Sequence, residues 1–267
     1  MPLSGISVVQ GPQGLGAAAL TKDGVSGLVF YNDTAPTGFA TNNIIKIFSI
    51  SEAEALGIVE GGTYAVDWYH INAFFQANQK GELYVGYFGV PAGAYDYAEV
   101  VTMQQFAQGE IRLIGVYAPL EGFASAQVTA LQTAISTIPS NTPLHGFLST
   151  DLSAITAVTG WGAVADLRTL TAQNVSYVVG QDGGAAGKAL FDSKSYTIGT
   201  IGRLLGDTSF AAVNQSVGEV GQFNISNGVE LEVAALGNGD LVTELTSTAL
   251  GSIKDKGYSV IRKRLPD

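Results

Sequence analysis

The chain has 267 residues, 46% of them apolar, enough to bury one large core or two ordinary ones and too many for a disordered chain. Thirteen Lys and Arg against 23 Asp and Glu give a net charge of −10, which argues against a nucleic-acid-binding surface of the usual basic kind. Cysteine is absent, which excludes disulfides, thiolate zinc sites and cysteine nucleophiles together.

Charged residues make up only 13% of the chain, against about 25% in ordinary globular domains. Two explanations stand side by side: a sequence simply rich in small residues, or a subunit whose surface is largely covered by copies of itself. Residues 1–20 lack the charged start and unbroken apolar stretch of a signal peptide, and no segment is long enough to span a bilayer. The expectation is a protein made and folded in the bacterial cytoplasm, with no membrane partner.

Residues 1–20 read as an extended N-terminal arm. The first sixteen are Gly- and Pro-punctuated and only weakly apolar at Ile6, Val8 and Val9. Such a segment either frays or adds its free backbone groups to a neighbour's sheet edge. Residues 21–267 read as an α/β core without an internal domain boundary. Its first candidate strands are 26–31 and 44–48, separated by a turn-rich stretch.

Residues 49–89 organise the rest: a short acidic helix, a long aromatic-rich helix and a strand. The long helix is expected to begin near Thr63, whose hydroxyl would cap free backbone N–H groups after Gly61 and Gly62. Tyr64, Trp68, Ile71 and Phe75 fall at i, i+4, i+7 and i+11, a core-facing stripe that Phe74 widens. Residues 83–88 are nearly continuously apolar, as a strand covered on both faces should be.

Beyond this point helix and strand alternate. Helical spacing appears at 97–108 and, most clearly, at 124–138, where Ala124, Val128, Leu131, Ile135 and Ile138 form one stripe that Pro139 ends. Strands are expected at 111–117, 144–148 and 175–180, with a helical stretch at 163–172. This alternation predicts a mostly parallel or mixed twisted sheet, right-handed crossovers and helices on both faces.

Residues 181–195 read as a Gly-rich loop, and 196–213 as helical in character despite Gly199, Gly202 and Gly206. Asn227-Gly228 between Phe223, Ile225 and Val229, Leu231, Val233 signals a β-hairpin near 222–233, or merely a turn between longer elements. Residues 257–264 read as a final strand. Five of the 13 basic residues, Lys254, Lys256, Arg262, Lys263 and Arg264, lie in the last fourteen positions, a local electrostatic feature or a solvated charged end.

No catalytic constellation emerges. The segment from Gly183 to Ala189 follows a strand as a phosphate-binding loop would, but Asp182 stands where the first glycine is needed and Ala189 where a magnesium-holding hydroxyl is needed. His70 and His145 lie on separate elements and read as hydrogen-bonded structural residues. Pairs such as Glu52 with Glu54, or Asp240 with Glu244, read as solvated surface. No metal ligand, cofactor site or catalytic residue is expected.

The segment EAEALGI, followed after a gap by YHINAFFQANQKGELYVGYF, resembles the contractile tail sheath proteins of bacteriophages and of related contractile injection systems. The later segments VSYVVGQDGGAAGKALF, IGRLLGDTSFAAVNQSVGEVGQFNIS and GVELEVAALGNGD are similar to sheath-like proteins encoded by prophages of gut bacteria. The resemblance runs through most of residues 20–264, and its motifs are structural rather than catalytic.

It implies a subunit of a virion tail or contractile particle, stacked in helical rings around an inner tube protein, in contact with baseplate components, and linked to its own copies by terminal arms. Ile6, Val8 and Val9 at one end and Tyr258, Val260, Arg262 and Arg264 at the other are the candidate arm contacts. Family members continue past a strand like 257–264 into further helices and a C-terminal arm. The chain is therefore either a truncated piece or a shortened relative, for which a monomer or small oligomer is expected rather than long tubes. Two other readings stay open: another tail or capsid component, such as a tube or baseplate protein, or a small-molecule-binding or hydrolytic α/β domain using residues 180–188.

Overall fold

The computed structural model describes residues 24–155, 158–182, 184–211, 234–235 and 247–260. Its centre is β1 (Ser26–Tyr31), an apolar hexapeptide buried at every position. Such a strand is stable only with a partner on each side and a layer on each face. It pairs in parallel with β3 (Leu83–Phe88) on one side and β4 (Leu113–Gly122) on the other, with Leu28 level with Val85 and Gly115.

The sheet continues through β5 (His145–Asp151), β6 (Val175–Val178) and β9 (Tyr258–Ser259), while β2 (Ile44–Ile47) closes the far side antiparallel to β3. The order is β2-β3-β1-β4-β5-β6-β9, and every strand but β2 runs parallel to its neighbours. A separate two-residue ladder joins β7 (Gln181–Asp182) to β8 (Ala234–Ala235). The fold is therefore α/β, with a mixed, mostly parallel sheet flanked by helices.

Alternation along the strands supplies one cluster per face. Val29, Ile114, Val116 and Leu148 pack with Val100 and Met103 of α3 (Ala98–Phe106) and Val128, Leu131 and Ile135 of α4 (Ser125–Ser136). Leu28, Phe30, Val85 and Tyr117 pack with Ile71, Phe74 and Phe75 of α2 (Ala65–Ala77) and Ile201 and Leu205 of α6 (Ile201–Phe210). Ala53 of α1 (Ile50–Ala55) joins the second cluster, and Ile253 of α7 (Ser247–Asp255) the first.

Helix α2 is buried on nearly all sides because it packs on the sheet with α6 close beside it on the same face. Ile71 and Phe75 are fully within the core, whereas Tyr64 and Trp68 are half-buried at its rim. Tyr64 donates its hydroxyl to the Thr34 carbonyl, and Trp68 Nε1 donates to Glu54 Oε1. Thr63 does not cap the helix. The chain enters through a turn in which Ala65 N–H donates to the Gly62 carbonyl, and α2 starts with Tyr64 as an N-cap that makes no side-chain hydrogen bond. The side-chain cap belongs instead to α1, where Ser49 Oγ accepts from Glu52 N–H and Glu52 Oε2 accepts from Phe48 N–H.

Two other expectations are corrected. Residues 163–172 hold no α-helix; 3-10 turns at Val158–Gly162 and Leu167–Thr169 take their place. The fully buried Trp161 ring and hydrogen bonds to Lys256, from Leu167 N–H to its carbonyl and from its ammonium to the Gly162 and Val164 carbonyls, hold this segment against the C-terminal elements. The stretch read as a Gly-rich loop forms β7 and then α5 (Ala185–Lys194), whose last turn ends at Ser195 in the left-handed region. The expected hairpin at 222–233 lies outside the described residues.

Gly202 and Gly206 explain how a glycine-bearing segment becomes α6. A methyl group on Gly202 would run into the His70 carbonyl, and one on Gly206 would sit 2.6 Å from Ala77 Cβ and 2.7 Å from the Phe74 carbonyl oxygen. The glycines lower intrinsic helix propensity but permit backbone-to-backbone approach of α6 and α2. Replacing Gly206 by Leu is expected to destabilise the fold by about 2 kcal/mol or more in a urea titration. Gly93→Ala, where nothing lies within 4 Å, should change stability by no more than about 0.5 kcal/mol. Equal effects of the two substitutions would refute the close-packing account.

Candidate functional site

In a doubly wound sheet the crossovers leave adjacent strands toward opposite faces at one point, which opens a crevice at the carboxyl edge. Here the point lies between β1 and β4. The chain returns to β3 through α2 on one face, then crosses β1 to β4 through α3 on the other. A cavity of about 190 Å³ occupies this position, bounded by Phe30 and Tyr31 at the end of β1, Asp67 in the first turn of α2, Tyr117 of β4, and Lys194 and Tyr196 after α5.

Asp67 is the only acid on this lining, and it is 8% exposed. Its Oδ2 accepts from the Tyr87 hydroxyl at 3.0 Å. Burial pushes the carboxyl up to about 7, against the opposing pull of the Tyr87 hydrogen bond and the Lys194 charge. Tyr117 donates its hydroxyl to the Thr197 carbonyl at 3.0 Å, so its ring is fixed as a wall. Behind it, His70 is fully buried with its ring centroid 4.4 Å from that of Tyr117, and burial lowers its pKa to about 3. The imidazole is thus a neutral core group.

His145 fits the structural role expected of it: Nε2 hydrogen-bonds Ser176 Oγ at 2.9 Å, and burial lowers its pKa. The phosphate-loop reading finds no support in the described residues of its segment. Asp182 Oδ1 accepts from Gly184 N–H, Asp182 Oδ2 accepts from Tyr69, and Lys188 reaches along the exposed face of α5 to Asp192 at 2.9 Å. Gly183, Asp240 and Glu244 lie outside the described residues. Among the described residues no group of three or more His, Asp or Glu could hold a metal ion, and no helix is long and apolar enough to cross a membrane.

Of the candidate arm contacts, Ile6, Val8, Val9, Arg262 and Arg264 lie outside the described residues. Tyr258 is 6% exposed, with its ring against Tyr177 and Phe123 and its hydroxyl donated to the Ala165 carbonyl. Its side chain is therefore committed to this chain's own core, leaving only its backbone at the sheet edge among the described residues. Val260 is half-buried against the same cluster.

The cavity residues come from β1, α2, β4 and the end of α5, so no local motif announces them. One signal was present: Asp67 is the sole acid of α2, next to the stripe residue Trp68.

No known protein family matches the chain, and comparison with curated proteins finds no matching relative.

The buried carboxyl has a signed pH consequence. Its pKa is 3.8 in the open chain and about 7 when folded, so the stability it favours is present at low pH and is lost as pH rises through 7. Asp67→Asn removes that loss. The stability of the variant relative to wild type should rise by on the order of 2–3 kcal/mol between pH 5 and pH 8 in chemical denaturation. A pH-independent difference would show that Asp67 is solvated.

Proposed function

We propose that the chain is a structural, self-assembling subunit of a contractile phage-tail or injection-system sheath, packing around an inner tube and joined to its neighbours by strand-exchanging arms. Its partners in this reading are copies of itself, the tube protein and baseplate components, and its place is the virion tail or contractile particle. The resemblance of residues 49–89 to sheath proteins supports it, since these residues form the α1–α2–β3 unit that supplies one strand of the sheet and a helix packed on one of its faces.

The observation that carries it is the pair of sheet edges that no further described strand covers. Among the described residues β2 pairs only with β3, and β9 only with β6. Unpaired backbone donors and acceptors at such edges are templates for a further strand. Large apolar side chains lie exposed close to the β2 edge: Phe48 follows the strand directly, and Phe106, 50% exposed, stacks edge-on to Tyr84 of β3. In a monomer these rings face water; in a lattice they are covered.

The test is removal of residues 1–10. The shortened chain should lose association at high concentration in sedimentation velocity, while its melting temperature stays within about 2 °C of the parent because no described core residue is removed. An unchanged sedimentation coefficient would rule out arm-mediated assembly.

A further inference from the structure

We infer that the cavity at the carboxyl ends of β1 and β4 is a binding site for a small zwitterion of amino-acid size, its ammonium seated on Asp67 and its carboxylate on Lys194. The inference is independent of the assembly reading and rests on four features of the site.

Position is the first: this is the point where a doubly wound sheet is open by topology rather than by a packing fault. Size is the second. At about 190 Å³, the cavity is smaller than the roughly 300–1,000 Å³ of sites that take drug-sized molecules, which excludes nucleotides and peptides and leaves compounds of a few heavy atoms.

Charge is the third and decides the class. Of the groups facing the cavity, Tyr117 from β4 and Tyr31 and Tyr196 are neutral, as is Tyr87 of β3 behind Asp67, and burial raises the pKa of each of these four phenols. Only Asp67 and Lys194 carry opposite charges onto the lining. The Lys194 charge reaches Asp67, yet Lys194 makes no direct ion pair among the described residues. A phosphate or simple carboxylate would meet the acid, and a simple cation would meet the lysine. A molecule with both signs satisfies each.

The fourth feature is unmet hydrogen-bonding capacity. Tyr87 serves Asp67 Oδ2, and Oδ1 has no partner among the described residues. Oδ1 is not sealed from solvent, so it can accept from a donor that enters the cavity. A ligand ammonium supplies that donor, and the rings of Phe30, Tyr117 and Tyr196 offer aromatic surface to the carbon skeleton and the cation.

The experiment titrates the full chain with L-alanine at pH 8 by NMR, with methylammonium and acetate as half-ligands. L-alanine should bind saturably at one site, each half-ligand at least about tenfold more weakly. Asp67→Asn and Lys194→Met should each weaken L-alanine by about tenfold or more, and wild-type binding should weaken from pH 8 to pH 6 as Asp67 takes up a proton. Lys194 is half-exposed, so its variant keeps the fold, which the melting temperature verifies. Absence of saturable binding, equal binding of methylammonium and L-alanine, or L-alanine affinity indifferent to both substitutions would each overturn the assignment.

Discussion

The rest of the structure depends on the contact between two helices far apart in sequence, α2 and α6. Gly202 and Gly206 bring the α6 backbone against the His70 and Phe74 carbonyls, and Asn78 Nδ2 donates to Ser209 Oγ across the same interface at 2.9 Å. With α6 held there, Ile201 and Leu205 cover β1 and β4 from one side. Gly115 on β4 is part of the same fit, since a methyl group there would lie 2.8 Å from Leu28 and 3.3 Å from Ile201. The chain leading into α6 then passes beside the carboxyl ends of those strands, where Tyr196 and Thr197 meet Tyr117. Helix packing thus determines both the burial of the central strand and the wall of the cavity.

What could be read in advance follows from which forces are local. The apolar runs of β1 and β3 and the stripe of α4 declare themselves, because burial on both faces or on one stripe leaves a periodic trace. The sheet's class followed from their alternation. Glycines misled in opposite directions: in α6 they look like helix breakers but serve a tertiary approach, and before α5 they look like a loop but lead into a helix whose N-terminal turn Asp182 holds. Asp166 caps the 167–169 turn locally by accepting from Arg168 N–H, but the placement of the whole 158–169 stretch depends on Lys256, nearly a hundred residues away. Nor does any spacing join Asp67 to Lys194 or Tyr117, since the sheet order alone makes them neighbours.

Two ionisable groups buried in α2 pull the pH dependence of stability in opposite directions. Asp67, raised from 3.8 to about 7, favours the fold at low pH and loses that contribution as pH rises. His70, lowered from 6.5 to about 3, favours the fold at neutral pH and loses its contribution as pH falls below 6.5. Between about pH 4 and 6.5 both windows are open and their slopes oppose each other. A helix that carries two poorly solvated groups into the core therefore leaves stability nearly level over that interval, and removing either group exposes the slope of the other.

The two sheet edges differ in a way that bears on assembly. Lysines along an edge ordinarily discourage a further strand. Lys46 of β2 is held instead by Glu82 at 2.6 Å and Glu110 at 3.5 Å, with its ammonium 4.9 Å from the centre of the Tyr84 ring. Its charge is neutralised on the sheet face, and Phe48 next along the chain remains exposed. At the other edge β9 contributes two residues, and Tyr258 anchors that short strand through Tyr177, Phe123 and the Ala165 carbonyl. One edge is a longer strand with its lysine engaged; the other is a brief strand pinned by a single aromatic. Under the proposed assembly the first suits the addition of an arm, because four residues of open ladder contribute more backbone pairing than two, and the second suits force transmission, because Tyr258 ties the end of the described chain directly to the core.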